Sequence, residues 1–331
     1  MNAKKILALA LAALMLLSLA ACGQSADPTA TEAPAEPTEA PVEATEAPAE
    51  DTSVTVTDMT GREITLEEPA TRIVALTASD CEIICALGGM DLLVGRGTYC
   101  DYPAEVQEIP SVQSGYETNI EQIIALEPQV LLMSTMAQTE EQIKALEDAG
   151  VHVVVSDAQD IEGVYTAIER IGKLMGKDAE AAAVIESMKA TFAEVAEKAS
   201  ENAGKTVYFE VSPLQYGLWT AGKGTFMNEI ANMVGLTNCF EDVEGWSEIS
   251  EEQVIARNPD YIVTISMYYG EGPTPVEEIL GRKGWEELTA IKNQAVLNLA
   301  NNELSRPAPR LADGAKMLYD FINTEVVDKA A

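Results

Sequence analysis

The stretch Asn119-Ile-Glu-Gln-Ile-Ile-Ala-Leu-Glu-Pro-Gln-Val-Leu-Leu-Met133 contains a whole helix-to-strand unit. Asn119 has the short side-chain oxygen of an N-cap. Ile120–Leu126 follow as a helix, Pro128 cannot continue it, and Gln129–Met133 reads as a buried strand. The unit returns later in the chain. Glu252-Gln-Val-Ile-Ala-Arg-Asn-Pro-Asp-Tyr261 repeats Glu121-Gln-Ile-Ile-Ala-Leu-Glu-Pro-Gln-Val130 with Glu, Gln, Ile, Ala and Pro in register, and Ser250 stands where an N-cap belongs. A second echo pairs Glu82-Ile83 and Gly88 with Glu229-Ile230 and Gly235. Two echoes at different offsets imply one βα design used twice, and so two similar lobes.

The flanking sequence has the same grammar. Val54–Thr57 and Glu63–Leu66 alternate around Asp58-Met-Thr-Gly61 as a hairpin, and Ile73–Leu76 is a short apolar strand. Ser79 and Glu82 have capping-box spacing for a helix that stops at Gly88-Gly89. Thr139 caps a helix to Gly150, before strand Val151–Val155. Lys205–Val211 and Tyr261–Ile265 are strands, and Thr225 caps a helix to Gly235. Strands alternating with helices predict parallel α/β structure. Between the halves, Ile161–Gly176 is an amphipathic helix, and Asp178 is positioned to cap another from Ala179 to about Ser200. At about 1.5 Å per residue this second helix is a rod of about 33 Å, read either as a strut between lobes or as an ordinary surface helix. The expected fold is two similar α/β lobes joined by a long rigid helix, with a ligand cleft between them. The N-terminal lobe spans 54–160, the connecting helices 161–203 and the C-terminal lobe 204–331.

The 331 residues carry 21 Lys and Arg against 54 Asp and Glu, a net charge of −33. So acidic a chain is unsuited to nucleic acid, whose phosphates need a basic surface, and gains nothing from anionic lipid heads. His152 is the only histidine, which excludes a His-rich metal cage and an imidazole relay. Lys4 and Lys5 precede an uncharged, mostly apolar run, Ile6–Ala21, too short for a spanning helix and of secretory-signal form. Residues 22–53 form a tether. Thr31-Glu-Ala-Pro34 recurs at Thr38–Pro41 and Thr45–Pro48, and a proline in each repeat forbids a continuous helix. In a polyproline-like form about thirty such residues reach about 90 Å. Removing residues 1–21 takes away two positive charges and no negative one, so −33 becomes −35.

Leu19-Ala-Ala-Cys22 resembles the lipobox of bacterial lipoproteins. That resemblance implies cleavage before Cys22, its lipidation, and a mature protein held on the outer face of the cell membrane by that lipid alone; a plain signal peptide with an incidental cysteine is the alternative. Six further stretches carry a second resemblance: Arg72-Ile-Val-Ala75, Tyr99-Cys-Asp-Tyr-Pro103, Asn119–Pro128, Gly222-Lys-Gly-Thr225, Ser250–Pro259 and Ser305-Arg-Pro-Ala-Pro-Arg310. Through them, residues 54–324 resemble bacterial ABC-importer solute-binding proteins for chelated-metal cofactors: iron–siderophore, haem and cobalamin. Asp101-Tyr-Pro103 and Trp246 look most like the cobalamin-binding member, whereas Ser134-Thr-Met136 departs from it where an aromatic is expected. The family's two lobes and single long helix agree with the strut reading. The resemblance implies a monomer that hands cobalamin or a ferric siderophore, or alternatively haem, to an ABC permease. It implies no resident cofactor and no catalysis.

Tyr99, Tyr102, Tyr116, Trp219 and Trp246 fall in turns or just past element ends, where α/β proteins bind ligands and where aromatics offer flat area to a macrocycle. Loop packing is the competing reading. Arg306 and Arg310 flank Pro307-Ala-Pro309; one of them could hold a ligand carboxylate or phosphate bidentately, and the family pattern favours Arg306. A structural ion pair is the alternative. The resemblance also implies that one glutamate on each lobe's rim meets the permease. These are Glu140 beside Glu141, and Glu277 with Glu278 and Glu271 nearby, against the reading that rim glutamates are merely solvated. Cys81 and Cys85 lie one helical turn apart and Cys100 and Cys239 complete the set. They read as buried small hydrophobes, as pairing partners, or as a metal thiolate site. Free thiols on an exported protein would suggest a habitat poor in oxidant. A surface enzyme using paired carboxylates, and a sensor or adhesion module on the same lobes, are the competing functions. No nucleophile elbow or phosphate loop supports the enzyme.

Overall fold

A computed structural model describes residues 52–114, 118–135, 139–300 and 302–328. The leader, Cys22, the tether through residue 51, Tyr116 and Met136 lie outside them. The first lobe opens on the antiparallel hairpin β1 (Val54–Thr57) and β2 (Glu63–Leu66). It continues through β3 (Ile73–Ala75), α1 (Ala78–Ala86), β4 (Leu93–Gly97), β5 (Ser111–Val112), α2 (Ile120–Ala125), β6 (Val130–Met133), α3 (Glu140–Asp148) and β7 (His152–Val155). The strands form a parallel sheet in the order β5-β4-β3-β6-β7. Helices α4 (Ile161–Leu174) and α5 (Asp178–Glu197) lead to the second lobe. That lobe comprises β8 (Thr206–Glu210), β9 (Trp219–Ala221), α6 (Phe226–Met233), β10 (Thr237–Asn238), β11 (Trp246–Glu248), α7 (Glu251–Arg257), β12 (Tyr261–Thr264), α8 (Pro275–Leu280), α9 (Thr289–Lys292), β13 (Val296–Asn298) and α10 (Leu311–Asp328). Its parallel sheet runs β10-β8-β12-β13, and β9 pairs with β11 as a separate antiparallel ribbon.

The repeated sequence is a repeated structure. Strand β6 lies beside β3, as β12 lies beside β8. Gln129, one residue past Pro128, accepts hydrogen bonds from the backbone amides of Thr71 (2.7 Å) and Arg72 (3.0 Å) at the entry to β3. Asp260, one residue past Pro259, accepts from the amide (2.8 Å) and hydroxyl (3.0 Å) of Thr206 at the entry to β8. Before each proline the chain turns through a left-handed residue, Glu127 at φ 47° and Asn258 at φ 45°, a conformation asparagine tolerates better than glutamate. The same side-chain hydrogen bond therefore fixes where the central strand of each lobe begins.

Asn119, Thr139, Thr225 and Ser250 cap their helices as their side chains predict. Two expected caps are corrected. Thr77, not Ser79, caps α1: its oxygen accepts from the Asp80 amide while its hydroxyl donates to the Asp80 carboxylate. Thr77 and Asp80 have the spacing that Ser79 and Glu82 also have, two residues earlier and directly after β3. Glu82 is thereby freed for another role. Asp178 lies in the first turn of α5, and Lys177 at the N-cap contributes no side-chain bond.

Helix α5 buries Ala181, Ile185, Met188, Phe192 and Val195, spaced in steps of three and four along one stripe. It packs along α4 and α10 and touches α6, so the connecting helix is held by its companion helix and by the second lobe. At its closest approach a Cβ on Gly172 of α4 would stand 2.6 Å from the Ala181 Cβ and 3.1 Å from the Lys177 carbonyl oxygen. Only glycine permits that spacing.

Candidate functional site

Both parallel sheets present carboxyl ends that carry loops. In the first lobe the segments after β3, β6 and β7, with the first turn of α1, place Thr77, Ser79, Asp80, Ser134, Ser156, Asp157 and Gln159 around a cavity of about 230 Å³. Its far wall is Phe226, Trp246, Ser305 and Pro307 from the second lobe, so this space lies between the lobes. Trp246 packs against Phe226 with ring centroids 5.3 Å apart, and its indole N–H donates to Gln159 Oε1 at 3.1 Å. Gln159 in turn donates to Asp157 (3.2 Å), and the Thr135 hydroxyl donates to the other Asp157 oxygen. A polar chain thus crosses from lobe to lobe beside the cavity. The Phe226 amide, donating to the Gln159 carbonyl at 2.9 Å, reinforces it. Asp80 is only 1% exposed and burial pushes its carboxyl up to about 6, against hydrogen bonds from Thr77 and Ser156; the nearby Asp157 charge adds to the rise.

In the second lobe the loops after β8 and β12 enclose a larger recess of about 550 Å³. Glu210, Leu214, Met267, Tyr268, Tyr269 and Glu278 are among the residues that line it. Glu210 sits at the end of β8, 1% exposed, in a two-bond ion pair with Arg282 (2.8 and 3.1 Å), which also holds Glu278. The Arg282 guanidinium stacks on Trp285 at 4.2 Å. Tyr269 is 83% exposed, with Tyr268, Tyr216 and Met267 also open to solvent.

The candidate residues do not all have the expected surroundings. Trp246 lines the interlobe cavity. Trp219 is the first residue of β9, partly exposed, opposite Glu248 on the ribbon that also carries Trp246. Tyr99 and Tyr102 are exposed on the loop after β4. Arg306 is held by protein groups. Its guanidinium donates to Glu82 (2.8 Å), Asp101 (2.6 Å) and the Tyr99 carbonyl (3.2 Å). Arg310 grips the same Glu82 through two bonds (2.8 and 2.6 Å) and covers the Tyr102 ring at 3.8 Å. Glu82, 3% exposed, is the hub. Of the two readings the sequence left open, the ion pair is the one observed. The arginines hold the Tyr99 backbone and the Tyr102 ring. Glu140 is exposed in the first turn of α3, while the Glu277 carboxylate closes a capping box, accepting from the Thr274 amide (2.8 Å) and hydroxyl (3.0 Å), bonds that lower its pKa.

The four cysteines among the described residues are free thiols. Cys81 and Cys100 are buried and both point at the Ala75 carbonyl; burial pushes the Cys85 thiol up to about 11 and Cys239 up to about 12. Among the described residues no group of three or more His, Cys, Asp or Glu is arranged to hold a metal, so the thiolate reading gains no support. The sequence reading passed over Tyr268 and Tyr269. The signal was present: an aromatic pair four residues past the end of a strand, in the loop Ser266–Pro273 with Gly270 and Gly272.

Residues 73–302 match the periplasmic binding protein family. The chain belongs to that family. A Bacillus subtilis protein named as an uncharacterized ABC transporter substrate-binding lipoprotein, YvrC, is 35% identical over 95% of each chain. The vitamin B12-binding protein of Salmonella typhimurium is 28% identical over 77% of this chain and 91% of that protein. A solved structure of a possible iron-binding, periplasmic solute-binding protein from Staphylococcus epidermidis superposes with a TM-score of 0.64 at 31% identity, covering 77% of this chain and 99% of that one. As a periplasmic binding protein, the chain has its two α/β lobes, connecting helix and intervening cleft in common with this family.

Proposed function

We propose that this chain is the substrate-binding lipoprotein of an ABC importer and captures a metal chelate, a corrinoid or a ferric siderophore, between its lobes. The observation that carries the reading is the pair of aromatic-lined features at the sheets' carboxyl ends. One is an interlobe cavity walled by Trp246 and Phe226; the other is a recess walled by Tyr268 and Tyr269. Flat aromatic area suits a rigid macrocycle or hydroxamate shell better than a flexible sugar or peptide. The vitamin B12-binding relatives support a corrinoid, and the YvrC name together with Leu19–Cys22 supports a lipid anchor at Cys22 and an outer-face location. Tyr99, Tyr102, Tyr116, Trp219, Trp246 and the newly recognised Tyr268 and Tyr269 are the contact residues of this proposal. The protein works as a monomer and turns nothing over. Glu140 and Glu277 are its two permease contacts, widely spaced charges that set orientation and encounter rate more than affinity.

Titrating the soluble chain from residue 23 onward with cyanocobalamin, cobinamide, ferrioxamine B and haemin, read by tryptophan fluorescence and calorimetry, tests the reading. Saturable one-to-one binding of a corrinoid or hydroxamate is expected. Silence toward every chelate would overturn it.

A further inference from the structure

Among the described residues, the arginines in contact with Tyr99, Tyr102 and Glu210 are held by carboxylates. Arg306 and Arg310 together face Glu82, Asp101 and Glu303, the last at 3.9 Å. Arg282 faces Glu210 and Glu278. Acids outnumber bases in both clusters. Lys223, on the loop before α6, is paired with Glu244 at 3.4 Å. The cavity lining adds Asp80 and Asp157, and the recess lining adds Glu271, with no Lys or Arg among the described residues of either. A receptor for an anion needs a guanidinium or ammonium with donors to spare; here those donors are already directed at protein carboxylates. The exposed rings of Tyr268, Tyr269 and Trp219 act in the same direction, because the negative face of an aromatic ring attracts cations.

Resting on the chelate-binding reading above, we infer that the cleft selects its ligand by charge, accepting cationic and neutral chelates and rejecting anionic ones. The favoured class is a chelate whose net charge is zero or positive, as in a corrin ring with amide side chains or a ferric hydroxamate with a free amine. Haem with two propionates and ferric tris-catecholates fall in the rejected class. Asp157 and Glu271, neither of them fully buried, are the specificity-determining residues that a ligand charge meets without dismantling an ion pair.

Two chemically matched series test this. The first is ferrioxamine B with its terminal amine free, acetylated or succinylated, which changes the charge from positive through zero to negative around one ferric core. The second is cyanocobalamin against its monocarboxylate, in which one amide becomes a carboxylate. Affinity should fall in the order cation, neutral, anion, by about tenfold per unit charge at low salt. The gap should narrow as salt screens it, and it should narrow in the double variant Asp157→Asn, Glu271→Gln. The salt dependence needs no variant and stands if the double variant folds poorly. An anionic member that binds as tightly as its cationic or neutral partner would overturn the charge rule while leaving chelate binding intact. So would a gap indifferent to both salt and substitution. If no member of either series binds, the chelate reading itself fails and the charge rule falls with it.

Discussion

Glu82 and Glu229 occupy matching places in the repeated βα unit, and each reaches out of its own lobe. Glu82 holds Arg306 and Arg310 from the segment after β13. Glu229 accepts from the Ile161 amide at 2.8 Å, at the first turn of α4. The same position of the repeated unit thus supplies two different fastenings, one to the other lobe and one to the connecting helix. Removing Glu82 would take from two largely buried guanidinium groups the carboxylate they share. Glu82→Ala should destabilise the chain by about 3 kcal/mol, measured as a fall in urea midpoint. It should also loosen Tyr99 and Tyr102, seen as faster amide exchange in that loop. A midpoint unchanged within error would show that the cluster holds nothing together.

Glu229 joins Asp160 in satisfying the first amides of α4. Replacing it with alanine should cost about 1–2 kcal/mol, while Glu229→Gln, which keeps an acceptor, should cost less than half of that. Equal effects of the two changes would point to packing instead of the hydrogen bond.

Asp80 makes stability depend on pH. Its folded pKa, about 6, lies above the usual 3.8, so between those values the folded state binds more protons than the unfolded state. Stability is therefore greatest below about pH 4, falls as pH rises to about 6, and is level above that, for a loss of about 3 kcal/mol. Asp80→Asn, which can still accept from Thr77, should flatten this part of the profile and raise stability at neutral pH. A profile that keeps its slope in the variant would assign the titration to another group.

Gly172 has no room for a side chain where α4 meets α5. Gly172→Val should cost about 2–3 kcal/mol by overpacking, and Gly172→Ala less, because helix propensity offsets part of the clash. Denaturant unfolding measures both, and a stabilised valine variant would mean that the helices can part freely.

Reversing Glu140 and Glu277 together to lysine should abolish import while leaving the ligand Kd unchanged. Because Glu277 also closes the Thr274 box, Glu277→Gln is the informative control: it removes the charge and keeps an acceptor. Full transport by the double-reversed protein would place docking elsewhere.

Much of this architecture was legible because it is written locally. N-caps at Asn119, Thr139, Thr225 and Ser250 are bonds across three residues, and the repeat exposes the lobes. Where two such signals overlap, as Thr77/Asp80 and Ser79/Glu82 do, local spacing cannot choose between them; proximity to β3 does. The arginine cluster was beyond reach for a different reason. Arg306 meets Glu82 across 224 positions of sequence, and in a chain with so many carboxylates no pattern singles out one partner.

The free cysteines carry a consequence for life outside the cell. Disulfide exchange proceeds through the thiolate. With its thiol near 11, Cys85 is ionised in about one molecule in ten thousand at neutral pH, and Cys81 and Cys100 are walled off by the core besides. On the outer face proposed for this chain, such thiols persist by slowness of reaction, so their presence says nothing about how oxidising the surroundings are.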